Sequence, residues 1–457
     1  MNRLWVYAIA LCAPAFLTAQ VIPLQTAPFF GSDQLVYFPA TNLKAAGISI
    51  AVDDAAADQF INPACGLAIR GLTVFTVPTF VAIGKSAETS MLSLGVRYGD
   101  DTFYGGMYGG QQHAKDRKQD NVLVERTISG GASGTNEFGH AFVGYRFPET
   151  GTTLGVSFFR ATIGFLAKFN SIGLGYGDLE RGGSNQYKFG IEQRLEGGGR
   201  LDVVAARAVT SVDYQYTPPY DGGPVLFGGA PPPSYGHDRS ATWAIQSHYV
   251  QPVSNSLFLG ALADINWKQF DQLSLFESPA RATAFQFGLG VSRAGAESVV
   301  GCDVVYEPAS ITLSRWQGLP NDDIVRLNST VRFSNWTGKV GLRTDRKPLA
   351  LSFGLQLHVV QFHVNEQDQY ERIYADSNEG WNEWRFTIGL TARVFEMELD
   401  YTGILTTFKH PDAVAQVTTA ETSSVQSFID IIRPYYGASF TDANSILHRL
   451  ALTVPVF

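Results

Sequence analysis

Three aspartates lie close together in the stretch AVDDAAADQFINPACGL, residues 51–67. Clustered carboxylates raise two chemical possibilities, a calcium site or a pair that moves protons. Asp53, Asp54 and Asp58 lack both the twelve-residue spacing and the glycine of a helix–loop–helix calcium site, so no metal site is predicted. The letters DDAAADQF favour a short helix with acids in its first turn, where carboxylates cap backbone N–H groups. Structural capping is the favoured role of the cluster.

Other catalytic and metal-binding groups are not predicted. The chain has eight histidines, and His358 and His363 would face opposite ways on an unbroken strand, so zinc is unsupported. Barrel phospholipases and proteases are the enzymes to exclude. This sequence has no His–Ser pair within their motifs and no acid pair with a matching histidine. Cys65 belongs to the segment before the first strand, whereas Cys302 is in phase with apolar residues of a strand, so no disulfide between them is predicted. We therefore expect no catalytic residue, no cofactor and no enzyme activity.

Composition narrows the class of protein. The 42 acidic residues exceed the 34 basic ones, a net charge of -8 that argues against nucleic acid as a partner. The 46 glycines, 31 phenylalanines and 19 tyrosines suggest many strands with tight turns and an aromatic-rich outer surface. Residues 1–19 have the apolar run and small-residue ending of a secretory signal peptide. We expect an exported chain with no transmembrane helix after the signal.

Strand periodicity indicates the fold. In NEWRFTIGLTARVF, residues 382–395, apolar side chains alternate with polar or small ones almost without interruption. LALSFGLQLHV, residues 349–359, shows the same alternation. A soluble β-sandwich would give this pattern with its apolar face turned inward, so the alternation alone does not decide between a sandwich and a barrel.

The lengths of the connections favour a membrane barrel. Tight turns are predicted at residues 98–102, 148–152, 196–200, 252–256, 293–298 and 344–348 and around Phe395. Long loops are predicted between them at about 110–137, 166–184, 215–239, 269–279, 313–324, 365–381 and 409–444. Short turns at one end and long loops at the other are typical of outer-membrane barrels. The predicted fold is all-β, a transmembrane antiparallel β-barrel of about 14–16 strands with an N-terminal plug (hatch) segment.

This fold predicts two parts of the mature chain. It also predicts which side chains line the lumen. The plug would occupy residues 20–68 and the barrel residues 69–457. If the apolar face of each strand meets lipid, charged and polar side chains of both signs point inward, and ion-paired walls are expected. These inward side chains are Arg97, Arg146, Lys188, Glu192, Asp202, Asp264, Lys268, Gln356, His358, Arg385, Arg393, Glu398 and Asp400.

The segment SIAVDDAAADQFINPACGLAIRGLTVFTVPTF resembles the start of the long-chain fatty-acid transporter (FadL-like) family of outer-membrane proteins. In that family an alanine-rich, acid-bearing segment leads to Asn-Pro-Ala and then to the first strand. The matching positions here are Asp53, Asp54, Asn62, Pro63 and Ala64. The resemblance implies a hatch that blocks the lumen and responds to a hydrophobic small-molecule ligand, such as a long-chain fatty acid or a hydrocarbon. It also implies a location in the bacterial outer membrane, with membrane lipids as neighbours.

The third strand, FYGGMYGGQQ, is rich in glycine. The FadL-like family has a kink in its third strand that opens the wall toward the bilayer, and the resemblance carries this feature to Gly105 and Gly106. Glycine serves a corner or the mouth of a loop equally well. A wall kink is therefore one of two interpretations of these residues.

The longest predicted loop carries an apolar stripe at helical spacing. Val425, Phe428, Ile429 and Ile432 fall at positions i, i+3, i+4 and i+7. In the FadL-like family loops form an initial groove for the ligand, which would make this stripe a capture helix. The alternative is a helix that folds down over the mouth of the barrel.

Two further functions stay open. Some relatives of this barrel family act as secretion or assembly partners that bind cargo proteins, and a general porin is a third possibility. A lumen pocket lined by apolar residues would distinguish a transporter of hydrophobic molecules from the other two. The aromatic Phe457 at the end of the sequence is the kind of residue that the barrel insertion machinery recognises, so that machinery is an expected partner.

Overall fold

The structure is a computed structural model that describes ten stretches of the chain. They are residues 38–83, 87–116, 121–123, 126–171, 174–217, 234–272, 277–318, 324–368, 374–409 and 445–456. The predicted signal peptide over residues 1–19 lies outside these stretches. The predicted loop stripe at Val425, Phe428, Ile429 and Ile432 also lies outside the described residues.

Antiparallel strands make up nearly all of the described chain. The described residues contain 18 strands, labelled β1 to β18 in chain order. They are β1 (Gly71–Thr76), β2 (Thr79–Ile83), β3 (Ala87–Gly99), β4 (Phe103–Asp116), β5 (Asn121–Leu123), β6 (Arg126–Phe147), β7 (Thr152–Ser171), β8 (Leu174–Arg194), β9 (Arg200–Thr217), β10 (Ser234–Pro252), β11 (Leu257–Gln272), β12 (Glu277–Ala294), β13 (Ser298–Gly318), β14 (Ile324–Thr344), β15 (Leu349–Asp368), β16 (Tyr374–Val394), β17 (Met397–Lys409) and β18 (Ser445–Val456). Among the described residues, no helix is long and apolar enough to cross a membrane.

The sheet closes on itself. β1 and β2 share one position in the wall, because each pairs with β3 on one side and with β18 on the other. Pro78 separates them, and proline has no backbone N–H to offer the ladder. β5 pairs with β6 beyond the end of β4. Counted in this way, the described strands fill 16 positions of a closed antiparallel barrel, which confirms the predicted all-β barrel.

An apolar band surrounds the outside of the barrel. On β15 the side chains of Leu349, Leu351 and Phe353 are exposed, while Ala350 and Ser352 between them are buried. The same alternation runs along the neighbouring strands, so each strand turns one face outward to lipid and the other inward. The outward band and the closed sheet are the features of an outer-membrane β-barrel.

Exposed tryptophans mark one edge of this band. Trp336 on β14 and Trp384 on β16 are exposed on the outward face, and the next outward position of each strand, away from the apolar band, is polar: Ser334 and Asn382. Aromatic residues at such positions are typical of the boundary between lipid and water. We call this edge, and the strand ends beyond it, the upper end of the barrel.

The turns predicted to be tight all lie at the opposite, lower end. The seven connections predicted to be tight each join two strands within five residues, as between Gly99 and Phe103 or between Val394 and Met397. Several predicted long loops are wrong, because the strands extend into them: β7 continues to Ser171 and β8 begins at Leu174. About 9–11 residues cross a membrane as a strand. These strands have 20 and 21 residues and so continue above the lipid.

Candidate functional site

Residues 38–70 lie inside the barrel, and we call them the inner segment. A 3-10 turn at Asn42–Ala45 and one helical turn at Asp58–Ile61 are its regular elements. Its contacts reach inward-facing residues all around the wall, from Tyr104 on β4 to His248 on β10 and Asp400 on β17. A segment that touches strands on all sides of a closed barrel, on their buried faces, occupies the lumen.

The two acids of the predicted hatch have different environments. Asp54 is 4% exposed, and its carboxylate accepts the backbone N–H of Asn42 at 2.7 Å and that of Ala56 at 3.1 Å. It therefore acts as a structural acceptor that ties the 3-10 turn to the helical turn. Asp53 is exposed and forms an ion pair with Arg200 of β9 at 2.9 Å.

The Asn-Pro-Ala sequence is the part of the inner segment that joins the wall at β4 and β8. The Asn62 side chain donates to the carbonyl of Ile191 at 3.3 Å and accepts the backbone N–H of Ala64 at 3.0 Å. The hydroxyl of Tyr104 donates to the carbonyl of Pro63 at 2.7 Å. Each of these polar groups is satisfied, so the chain is fixed here by paired contacts.

Inward-facing glycines of the wall make room for the inner segment. A Cβ atom added at Gly260 would lie 1.9 Å from the Ile50 carbonyl oxygen, and one at Gly155 would lie 2.1 Å from that of Pro63. Glycines on five further strands are in similarly close contact with the segment: Gly190, Gly301, Gly341, Gly354 and Gly389. At these positions any larger residue would push the segment away from the wall.

Polar side chains of the wall also hold the inner segment. Lys44 is 2% exposed, and its ammonium group contacts the Thr391 hydroxyl and the Asp400 carboxylate. Four strands away, on β13, Asp303 accepts the backbone N–H of Ser49 at 2.8 Å. A buried charge that is paired and hydrogen-bonded in this way is costly to leave without its partner.

Phe60 anchors the helical turn in a cluster of aromatic rings. Its ring stacks on Phe38 at a centroid distance of 4.6 Å, and it meets Tyr108 and Phe142 edge to face at 5.0 and 5.3 Å. Phe60 is 3% exposed. Burying such a side chain contributes about 1.5–3 kcal/mol, so the cluster is a strong apolar contact between the segment and the wall.

Burial shifts the acid groups of the inner segment toward their neutral forms. It raises the pKa of Asp58 well above its usual value, and the negative charges of Asp54 and Asp53 add to this shift. It also raises the pKa of Asp54, although backbone hydrogen bonds oppose the shift. The pKa of the Cys65 thiol is raised well above its usual value by burial and by the charges of Asp202 and Glu192.

A chain of polar side chains crosses the inner wall above the inner segment. Gln286 donates to Glu307 at 2.6 Å, and Arg385 pairs with Glu383 at 2.6 Å. His358 lies between the two glutamates, 3.9 Å from each. The charged side chains predicted to line the lumen do point inward, and many form the ion pairs expected of them.

Above this polar chain the inner wall becomes apolar. Phe333 and Phe362 are buried, and their ring centroids are 5.6 Å apart. Cross-strand pairing continues their row across four strands, as Ala284–Ala309–Phe333–Phe362, and a second row reads Ala282–Ile311–Val331. On the outward face of the same strands, Arg332 and Gln361 are exposed. The apolar face of the wall has thus moved from the outside to the inside.

The third wall strand is paired without interruption through its glycines. Gly105 and Gly106 of β4 form cross-strand pairs with β3 and with β6, and neither ladder shifts register there. Gly106 faces inward, where an added Cβ would lie 2.9 Å from the Phe142 ring. In this structure the described residues around Gly105 and Gly106 leave no gap in the wall.

Comparisons with known proteins find similar structures without similar sequences. No protein-family model and no curated protein matches this sequence. The toluene transporter TodX of Pseudomonas putida matches with a TM-score of 0.46 and 9% identity, over 92% of this chain and 98% of that one. The CymD monoaromatic hydrocarbon channel gives 0.43 and 9%, over 92% and 98%. The toluene transporter TbuX of Ralstonia pickettii gives 0.41 and 10%, over 92% and 99%. At these scores and identities the likeness assigns neither family nor ligand.

The role of several residues of the site could not be predicted from the sequence alone. Lys44 is a single basic residue in an unremarkable stretch, and the wall glycines resemble those of any tight strand. The apolar inner rows at Phe333 and Phe362 have a signal in principle, because the apolar phase of β15 changes from odd to even numbers after Val359. The polar inward residues were visible because they alternate with the lipid-facing ones.

Proposed function

We propose that this protein carries hydrophobic small molecules across the bacterial outer membrane, with the inner segment as the hatch of its lumen. A solute that enters from the upper end would first meet the apolar inner wall. It would then reach the inner segment, whose release from the lower wall would open the way through.

The apolar rows of the upper inner wall carry this proposal. Porins have a polar, water-filled interior. Here Phe333 and Phe362 face inward while polar side chains of the same strands face out to water. Apolar side chains that face the lumen at this height offer a surface that favours apolar ligands.

The contacts of the inner segment support the role of hatch. It is held by separate small contacts, such as Lys44 with Asp400 and Tyr104 with Pro63, while the barrel closes through its own backbone ladder. Because every wall strand has paired neighbours without the segment, the segment can leave its position without opening the sheet.

Uptake measurements with paired variants of β15 test the proposal. Labelled toluene, a labelled long-chain fatty acid and a labelled disaccharide are offered to cells that lack their own transporter of hydrophobic compounds and express this protein. Phe362→Gln places a polar group in the apolar row, and His363→Gln changes the adjacent outward position. We expect Phe362→Gln to lower hydrophobic uptake by at least about fivefold, the factor for about 1 kcal/mol of polar burial, and His363→Gln to leave it unchanged.

Each other outcome contradicts the proposal in a recognisable way. Heat-modifiable migration on gels first confirms that each variant is folded and inserted. Disaccharide flux that exceeds hydrophobic uptake would indicate a general porin. No uptake of any of the three by an inserted wild-type barrel would exclude transport of these classes and direct attention to a secretion or assembly role.

A further inference from the structure

A buried group of three metal-binding side chains lies where the inner segment meets the wall. Cys65 comes from the segment, Glu192 from β8 and Asp202 from β9, and each offers a ligand atom within 4.8 Å of the other two. All three residues are buried. Thiolate sulfur and carboxylate oxygen are ligands of Zn²⁺, and three protein ligands with a water molecule make a common zinc coordination.

The two carboxylates need positive charge beside them. Glu192 and Asp202 are directly opposite each other on paired strands, an arrangement that destabilises a sheet when both side chains carry the same charge. Arg200 lies 2.9 Å from one oxygen of Asp202, and Arg194 lies 3.4 Å from one oxygen of Glu192. Asp53 also pairs with Arg200, so one of the two guanidinium groups is shared between two acids.

One carboxylate oxygen of Asp202 is buried without a partner in the described part of the chain. Its Oδ2 is engaged by Arg200 and by His248, whose Nδ1 lies 3.2 Å away. Its Oδ1 is buried and has no hydrogen-bond partner among the described residues, and Asp202 as a whole is 5% exposed. A buried carboxylate oxygen without a partner is costly unless a cation takes that place.

The surroundings resemble the outer shell of a metal site. Ligating carboxylates in proteins are held at their second oxygen by outer-shell partners, as His248 holds Asp202 by a hydrogen bond and Arg200 holds it by an ion pair. A cavity beside Cys65 and Asp202 has a volume of about 70 Å³, enough for an ion and a water molecule. His248 also contacts the Ile50 carbonyl at 2.7 Å, so the same outer shell touches the inner segment a second time.

We propose that Cys65, Glu192 and Asp202 bind a zinc-class divalent cation that fastens the inner segment to the wall. One ligand belongs to the segment and two belong to adjacent strands, so the cation cross-links the two parts of the molecule. Occupied, it holds the segment in the lumen; removed, it releases one of the contacts that keep the lumen closed. This inference does not depend on which solute the barrel carries.

Metal binding to the full-length purified protein tests the site. Every chain carries Cys12→Ser, so that Cys65 and Cys302 are the only thiols of the sequence. Cys65→Ser removes the proposed ligand, and Cys302→Ser removes a thiol that sits on the outward face of β13 and serves as the matched control. After treatment with a chelator, Co²⁺ is titrated as a spectroscopic probe and Zn²⁺ is measured by equilibrium dialysis.

We expect one Zn²⁺ per chain, and a thiolate-to-cobalt charge-transfer band, in the parent and in Cys302→Ser. Cys65→Ser should lose the band and bind Zn²⁺ at least about tenfold more weakly, at the lower end of the range for disturbed metal sites. Glu192→Gln should weaken Zn²⁺ binding while keeping the sulfur band. No binding by the parent, or equal binding by Cys65→Ser, would overturn the proposal.

A second measurement keeps the test valid if Cys65→Ser does not fold. In the Cys302→Ser chain, Zn²⁺ should slow maleimide labelling of Cys65, and a chelator should restore it. In planar bilayers Zn²⁺ should lower the frequency of conducting events in the same chain. Labelling that Zn²⁺ does not slow, in a chain shown to be inserted, would also overturn the proposal.

Discussion

Lys44 shows how one side chain can hold the inner segment in place. Its ammonium group is buried against the Thr391 hydroxyl and the Asp400 carboxylate, two groups of the wall. Removing one partner of a buried charge pair costs about 3–5 kcal/mol, because the other charge is left buried. A factor of ten corresponds to about 1.4 kcal/mol, so the ratio of docked to undocked segment should fall more than a hundredfold.

We therefore expect Lys44→Met to increase the frequency of conducting events in planar bilayers by at least about tenfold. The control is Arg346→Gln, which breaks a 2.7 Å ion pair with Glu297 between exposed side chains. That pair lies in water and should leave conductance unchanged. Unchanged conductance in Lys44→Met, in a barrel shown to be inserted, would mean that this contact does not hold the segment.

Asp54 gives the docking of the segment a dependence on pH. Its carboxyl has a raised pKa when the segment is docked and the ordinary value of 3.8 when it is exposed, so the docked form binds protons more tightly. Docking should strengthen as pH falls through the raised pKa toward 3.8, and weaken as pH rises. Conductance should thus rise from pH 4 to pH 8, and Asp54→Asn should make this profile shallower, while Asp58, whose pKa burial also raises, keeps part of it. Asp101→Asn, at a 91% exposed side chain, is the control, and a steeper profile in Asp54→Asn would contradict the sign.

At the scale of elements, glycines of the wall strands allow the inner segment to pack closely against them. Gly260→Ala would place a methyl group 1.9 Å from the Ile50 carbonyl oxygen, which forces the segment away from β11. Overpacking of this kind costs about 1–3 kcal/mol. We expect the variant to insert normally and to conduct more often than the parent.

Gly338→Ala is the matched control for this prediction. Gly338 lies within β14, and an added Cβ there meets nothing within 4 Å. It should behave as the parent in both insertion and conductance. If the two alanine variants conducted equally, close packing of Gly260 against the segment would not be what keeps the lumen closed.

At the scale of the whole molecule, the outward face of β15 locates the membrane. Phe353 lies within the apolar band, and His363 lies ten residues further along the same face, beyond its edge. In a Cys302→Ser chain, a fluorophore at Phe353→Cys should be quenched by brominated lipid, while one at His363→Cys should not. Equal quenching at both sites would mean that lipid covers the upper strands, and the apolar inner rows would then need another explanation.

The sequence predicted the fold class correctly, but it did not predict how far the strands extend at the upper end of the barrel. Side-chain alternation and seven tight connections sufficed for an antiparallel barrel, because lipid selects one face of every strand. The long loops were overestimated, as at β7 and β8. On β15 the reason is visible: the outward positions above the lipid are Gln361 and His363, so the apolar outward face by which a strand is recognised is lost. The side opening at Gly105 and Gly106 stays a prediction: both ladders of β4 are continuous there, and glycine permits a kink without requiring one.

The sequence by itself determined the membrane-facing surface of this protein and the polarity of much of its lower lumen. Both are local properties, fixed by alternation within one strand. Tertiary structure decided which residues meet: Lys44 with Asp400, Gly260 with Ile50, and Cys65 with the two opposed carboxylates. These partners are separated by more than a hundred residues along the chain, and only the closure of the barrel around the inner segment brings them within contact distance.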